Sequence, residues 1–116
     1  MSGITIYHNP GCSTSRNVLA AIRESGTEPK IIEYLKSSPS RAELKALLRR
    51  GGLSVRDILR RKAPPYAELG LDNPALTDEQ LFDAIERHPV LIERPIVASS
   101  KGVRLCRPKE KLAEIL

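Results

Sequence analysis

The sequence predicts an α/β fold with a mixed sheet, ordered as a βαβ unit, a helical stretch and a ββα unit. Three observations carry this prediction. The hydrophobic period changes at Asn9-Pro10-Gly11, three helix-start signals follow one another between residues 40 and 80, and paired β-rich runs return after Pro95.

Ile4-Thr5-Ile6-Tyr7 is β-rich and ends at Asn9-Pro10-Gly11, a strong turn signal. From Cys12 the period becomes helical, with Val18, Leu19 and Ile22 on one face and Gly26 as the stop. Lys30 to Leu35 reads as a second, buried strand. Two strands around one helix predict a parallel pair with a right-handed crossover. Ser40 with Glu43 is a capping box opening a helix that carries Leu44, Leu47 and Leu48 and stops at Gly51-Gly52. Ser54 with Asp57 repeats the signal, and Pro64-Pro65 bounds that second helix. Thr77 with Gln80 starts a third, with Leu81, Phe82 and Ile85 on one face before His88-Pro89. Residues 37–90 show no strand signal and no linker composition, so they read as a helical insertion within one domain spanning 1–116. Pro95 to Ala98 and Val103 to Leu105 read as two short strands joined by Ser99-Ser100-Lys101-Gly102. Arg107-Pro108 then predicts a terminal helix with Leu112, Ile115 and Leu116 turned inward, proline being well placed at a first helical position.

Composition narrows the function. The chain is 41% hydrophobic and 28% charged, so it can bury an ordinary core, but only 3% aromatic, so that core is aliphatic. Its longest apolar run, Val18 to Ile22, is too short to cross a bilayer, and the first ten residues lack the basic start and apolar centre of a leader. A cytoplasmic protein with no membrane association is expected, where a free thiol stays reduced. The net charge of +5 suits phosphates, nucleic acid or small oxyanions. The scarcity of stacking aromatics argues against nucleic acid. The densest basic block, from Arg49 to Lys62, reads on its own as a solvated helix face. No ligand cluster or glycine-rich loop suggests a metal or a bound cofactor.

The chemistry concentrates in "YHNPGCSTSRN", residues 7–17. Cys12 should lie at the N-terminus of the first helix, where unpaired N–H groups and the positive dipole end favour an anion. A thiol of ordinary pKa about 8.5 ionises more readily there, above all beside a cation. The hydroxyls of Ser13, Thr14 and Ser15 add possible donors. His8 is either a capped strand end or an electrostatic partner of Cys12, and Arg16 either faces the same anion or decorates the helix. Three residues between Cys12 and Arg16 are too few for a phosphatase loop, which needs five. Cys12 reads as a nucleophile in preference to a buried structural cysteine, and because Ser15 stands where a dithiol motif would have its second cysteine, it is monothiol. The other cysteine, Cys106, reads as a buried residue of the last strand.

"ITIYHNPGCSTSRN", followed in order by "GTEP", "YL", "PSRAEL", "ERPIV" and "RLCRP", closely resembles the glutaredoxin-coupled arsenate reductases of the ArsC type. The resemblance runs over nearly the whole chain and is most specific around Cys12, Arg94 and Arg107. It implies a thioredoxin-like fold with a helical insertion. It further implies Cys12 as nucleophile, His8 favouring its thiolate with Ser15 in support, and Arg60, Arg94 and Arg107 as the arginines that hold arsenate. In that fold the residue before the strand-opening proline approaches the active cysteine, and a cis Arg94-Pro95 bond is expected. The best-known relatives continue past the equivalent of Leu116 with a polar tail.

The expected function is therefore reduction of arsenate to arsenite by a monomeric enzyme, with glutathione as co-substrate and glutaredoxin as partner. Two other classes compete. One is a non-catalytic regulator of the same fold that binds RNA polymerase, a group that typically carries the dithiol motif. The other is a glutathione-dependent thiol oxidoreductase of unknown substrate.

Overall fold

The computed structural model describes residues 3–116; Met1 and Ser2, the first residues of the start read above as lacking a leader, lie outside the described residues. The chain forms two compact units, one made of the chain up to Ser37 together with Arg94–Leu116, the other of Ser38–Glu93.

The first unit holds the sheet. Strand β1 (Thr5–His8) leads through the Asn9-Pro10-Gly11 turn into helix α1 (Ser13–Glu24), and β2 (Lys30–Glu33) follows. The hairpin of β3 (Ile96–Ser99) and β4 (Gly102–Leu105) completes a four-stranded sheet in the order β2-β1-β3-β4. Strands β1 and β2 pair in parallel, while β3 runs antiparallel to both β1 and β4. The sheet is mixed, as the sequence predicts. Ser100 and Lys101 turn the hairpin, and Gly102 at φ 148° holds a backbone conformation that a side chain would disfavour. Ile6 and Val97 from the sheet, Val18 and Ile22 from α1, and Cys106, Leu112 and Ile115 from the C-terminal segment form one buried cluster. Burying each such aliphatic side chain is worth roughly 1.5–3 kcal/mol, and this cluster fixes α1 on the sheet.

Three expectations for this unit change. The strand β2 lies at the sheet edge with Ile31 exposed, and Leu35, expected within it, lies in the turn beyond and is also exposed, so it is not a buried strand. The C-terminal segment winds as a 3₁₀ helix (Lys109–Glu114) with Pro108 outside it as an extended cap. Leu112 and Ile115 are buried, but Leu116 is exposed. Both Arg94-Pro95 and Arg107-Pro108 are cis; the first is expected from the sequence, the second is not.

The second unit is helical. Helix α2 (Arg41–Gly51) starts on Ser40, whose side chain accepts from the Glu43 N–H, and ends on Gly52 in the left-handed conformation. Between Gly52 and Thr77, the Ser54–Asp57 box opens only a 3₁₀ turn (Val55–Ile58), and Pro64-Pro65 begins a separate short helix, α3 (Pro64–Glu68), instead of closing the earlier one. The reason lies elsewhere in the chain: Leu59 bridges to Ile92, and the Arg60 N–H donates to the Leu91 carbonyl. These bonds draw the chain into an extended path before a helix can propagate. Helix α4 (Asp78–Arg87) starts on a complete Thr77–Gln80 capping box. Arg41 ties α2 to α4 through Glu79, Asp83 and Glu86, which follow one another along a single helix face, with its guanidinium also over the Phe82 ring.

Candidate active site

Cys12 caps the N-terminus of α1 with an extended backbone, φ −104° and ψ 123°. The turn that delivers it is built by Asn9. The Asn9 carbonyl accepts from the Cys12 N–H at 3.0 Å, and the Asn9 side chain accepts from the Gly11 N–H at 2.9 Å. Asn9-Pro10-Gly11 is thus more than a strand terminator. Arg16 Nη1 donates to the Pro10 carbonyl at 2.7 Å, so this arginine braces the loop.

At a cap position the side chain normally presents an oxygen to the N–H groups two and three residues on. In this helix a sulfur stands there. Burial pushes the Cys12 thiol up, but the Ser15 N–H, the Arg94 guanidinium and the Thr14 N–H together outweigh it, and the net shift is downward. The two N–H groups act on the sulfur electrostatically without closing a well-formed cap hydrogen bond. What this segment itself supplies is therefore backbone N–H groups, whereas the sequence suggested its hydroxyls.

The Ser15 hydroxyl is committed elsewhere. Its Oγ accepts from the Asn9 N–H at 3.1 Å and lies 2.6 Å from His8 Nδ1, with Ser15 fully buried. With the Asn9 N–H donating to that oxygen, a hydroxyl that donates its own proton to Nδ1 uses both of its bonding capacities, and the ring proton of a neutral imidazole then sits on Nε2. His8 itself is buried. Desolvation holds its pKa below the ordinary value; Glu33 opposes this, and Arg23 and Arg16 reinforce it. A neutral ring at neutral pH follows, which differs from the cation expected beside Cys12.

Two arginines converge on the sulfur from the segment after residue 93. Arg94 is buried beside Cys12, on the residue before the cis proline that opens β3. Arg107, at the end of β4, brings Nη1 to 3.9 Å from Cys12 Sγ and donates from the same atom to the Arg94 carbonyl at 3.2 Å. Cys12, Ser15, Arg94 and Arg107 thus form one site, and His8 reaches it through Ser15. Arg60 belongs to the other unit, where its guanidinium lies 3.8 Å from the Glu93 carboxylate. Cys106 is fully buried in the core of the first unit, and burial pushes its thiol up to about 12. A thiol so placed has almost no thiolate at neutral pH.

This arrangement suits one kind of reaction. A nucleophilic thiolate with two guanidinium groups at its side can attack the centre of an oxyanion whose oxygens the arginines hold. Sequence reasoning missed Asn9 as the organiser of the loop, although an Asn before Pro-Gly is the residue type that bonds its own backbone two residues on. Among the described residues no group of three His, Cys, Asp or Glu side chains gathers as metal ligands would, and no helix is long and apolar enough to cross a membrane.

The ArsC family model matches residues 7–115. The arsenate reductase of Escherichia coli strain K12 is 56% identical over all of this chain and 82% of its own length. That of Rhizobium meliloti strain 1021 is 56% identical over 97% of this chain and 81% of its own. Among solved structures, an arsenate reductase from Vibrio cholerae is 47% identical with a TM-score of 0.93, covering 98% of each chain. The mixed sheet is that of the thioredoxin-like fold. With the family model matched from β1 to the C-terminal segment and these relatives alike over almost its whole length, the chain belongs to the ArsC family.

Proposed function

We propose that this protein reduces arsenate to arsenite, with Cys12 as nucleophile and with glutathione and glutaredoxin supplying the electrons. The observation that carries the reading is the pair of guanidinium groups, Arg94 and Arg107, set beside a cap-position thiol whose pKa is lowered. Relatives named arsenate reductase at 56% identity give the oxyanion its identity.

The Cys12 thiolate attacks arsenic; a sulfur–arsenic bond forms, an arsenic–oxygen bond breaks, and the oxygen leaves as water with arsenic still pentavalent. Arg94 and Arg107 hold the remaining oxygens and offset the charge that builds on them. Glutathione displaces a second oxygen as water and forms its own sulfur–arsenic bond. The glutaredoxin thiolate then attacks the glutathione sulfur. A disulfide forms between those two, and the electron pair of the broken arsenic–sulfur bond stays on arsenic, which becomes trivalent. Water cleaves the Cys12–arsenic bond, releasing arsenite and the thiol. Cys106 has no part, being buried and protonated. Arg60 is proposed as a third arsenate-binding arginine on the family resemblance alone. Because each turnover consumes reduced glutathione and glutaredoxin and needs Cys12 as a free thiol, the enzyme works in a reducing compartment such as the cytoplasm.

The test is arsenite production by the purified protein with arsenate, glutathione and glutaredoxin. Turnover is expected with all three and not with any one omitted. Absence of arsenite under those conditions would reject the reading.

His8 is proposed as a positioning residue, holding the Ser15 segment so that its N–H serves Cys12. His8→Ala and Ser15→Ala are both expected to raise the Cys12 pKa and lower the reaction rate at neutral pH, by about tenfold if the pKa rises by one. High pH restores the rate in both, since the thiolate is then formed without help. His8→Gln, which can keep the bond to Ser15 but cannot become a cation, is expected to retain most of the activity. A loss in His8→Gln equal to that in His8→Ala would return the role to imidazole charge.

A further inference from the structure

Attack by Cys12 on arsenate asks three things of the substrate. Its electrophilic centre must be small enough to reach the sulfur, an oxygen on that centre must gain negative charge, and a guanidinium must meet that oxygen. None of these is peculiar to arsenic. A hydroperoxide meets all three, with one of its own oxygens as the electrophile. Cys12 is only 8% exposed, so a short hydroperoxide can reach the sulfur and a bulky one cannot. Arg107 Nη1 carries two N–H groups. It donates to the Arg94 carbonyl at 3.2 Å and stands 3.9 Å from Cys12 Sγ. That separation gives only a weak hold on the resting thiolate. An oxygen approaching the sulfur on the arginine side comes within the usual N–H···O range of about 2.7–3.2 Å. The guanidinium thus gains more from the transition state than from the thiolate, which is the condition for acceleration. Arg94, buried beside the same sulfur, adds a second charge that water screens poorly. Cys106 is buried with its thiol pushed up to about 12, so it does not capture an oxidised Cys12.

We propose that the Cys12 site is also a single-thiol peroxidase for small hydroperoxides. The Cys12 thiolate attacks the terminal peroxide oxygen. A sulfur–oxygen bond forms, the oxygen–oxygen bond breaks, and hydroxide or a short alkoxide leaves with the electron pair and takes a proton from water. Cys12 is then a sulfenic acid. A glutathione thiolate attacks its sulfur, a disulfide forms, and the oxygen leaves as water with a proton from solvent. A glutaredoxin thiolate attacks the glutathione sulfur and frees the Cys12 thiolate. One peroxide is reduced, and two thiols end as one disulfide. The thiols are those of the arsenate reading; the attack on peroxide does not depend on it.

The test uses the purified protein without arsenate. Oxidation of Cys12 by hydrogen peroxide is followed by trapping the sulfenic acid with dimedone and weighing the adduct. It is compared with alkylation by iodoacetamide, in which iodide leaves and no oxygen gains charge. Both rates are divided by the fraction of thiolate at each pH. The peroxide rate per thiolate is expected to exceed that of free 2-mercaptoethanol about tenfold or more, whereas the iodoacetamide rate does not. Arg107→Ala is expected to bring the peroxide rate down to the free-thiolate level and to leave alkylation per thiolate little changed. Glutathione and glutaredoxin together are expected to make peroxide consumption catalytic. A peroxide rate equal to that of the free thiolate, an equal fall of both rates in Arg107→Ala, or oxidation without turnover would each overturn the peroxidase while leaving arsenate reduction intact. An equal gain with cumene hydroperoxide would overturn the restriction to small substrates. A protein that shows the expected peroxide rates and turnover yet makes no arsenite would keep this activity and lose the arsenate reading.

Discussion

Cys12→Ser is expected to abolish arsenite formation, by about 10⁴-fold or more, without weakening the fold. The hydroxyl of serine is a poor nucleophile at neutral pH and cannot take part in the thiol exchange that regenerates the enzyme. The structural consequence runs the other way. Cys12 stands at the N-cap of α1, where serine is among the preferred residues because its oxygen accepts the N–H groups two and three positions on. The variant is thus expected to be equally stable or more stable, by up to about 1 kcal/mol. Cys106→Ser shows the opposite pattern. That side chain is buried in the apolar cluster of the first unit, with the Arg104 carbonyl 3.9 Å from its sulfur and beyond the reach of a shorter hydroxyl, so serine there costs about 1–3 kcal/mol while catalysis continues. Thermal denaturation and arsenite formation measured on both variants separate the two roles. A well-folded but inactive Cys106→Ser would break the single-thiol scheme.

Arg94→Ala has the next largest expected effect, a fall in kcat/KM for arsenate of about 10²–10³-fold. Arg94 is buried beside the sulfur, where water cannot replace its charge, and its guanidinium is one of the groups that lower the Cys12 pKa. Its removal therefore acts twice, weakening the hold on oxyanion oxygens and raising the thiol pKa. Raising the pH recovers the second part only. Arg94→Lys is expected to restore the pKa better than the rate, because an ammonium supplies charge without the two-pronged donor geometry. Arg107→Ala is milder, as that side chain is exposed and reaches the sulfur with a single nitrogen at 3.9 Å. Equal pH–rate profiles for Arg94→Ala and the unaltered protein would contradict this account.

How much of this is legible in the sequence depends on whether a signal is local. Asn9-Pro10-Gly11 followed by helical periodicity places Cys12 at a helix start, and the cap geometry bears this out. The capping boxes locate three N-termini correctly but not the pitch that follows. Ser54–Asp57 yields a 3₁₀ turn because Leu59 and Arg60 are recruited by Ile92 and Leu91, partners some thirty residues away. Likewise, the apolar run after Lys30 marks a strand but not its place at the sheet edge, which depends on what does or does not pair with it. At the site, residue types around Cys12 suggest hydroxyl donors, yet what this segment offers the sulfur is main-chain N–H groups, which every residue except proline carries, and the side-chain donors, Arg94 and Arg107, come from far along the chain. Arg94 and Arg107 stand out in sequence only through the family resemblance, because nothing local in "ERPIV" or "RLCRP" points to a cysteine some eighty or more residues earlier.

The claim on which everything else depends is that Cys12 is a thiolate nucleophile in an oxyanion cradle. It is tested most directly by the pH dependence of its alkylation by iodoacetamide, with Cys106 silent because it is buried. The thiolate is the reacting form, so the rate rises as pH passes the folded-state pKa and then levels off. With the Cys12 pKa lowered by the Ser15 N–H, Arg94 and the Thr14 N–H against the opposing effect of burial, the midpoint is expected below the ordinary thiol value of about 8.5. Arsenate, phosphate or sulfate is expected to slow the reaction more than chloride at equal ionic strength, and the protection weakens in Arg94→Ala and Arg107→Ala. A midpoint at or above about 8.5, with no protection by any of the three oxyanions, would contradict the account and make Cys12 a structural cap.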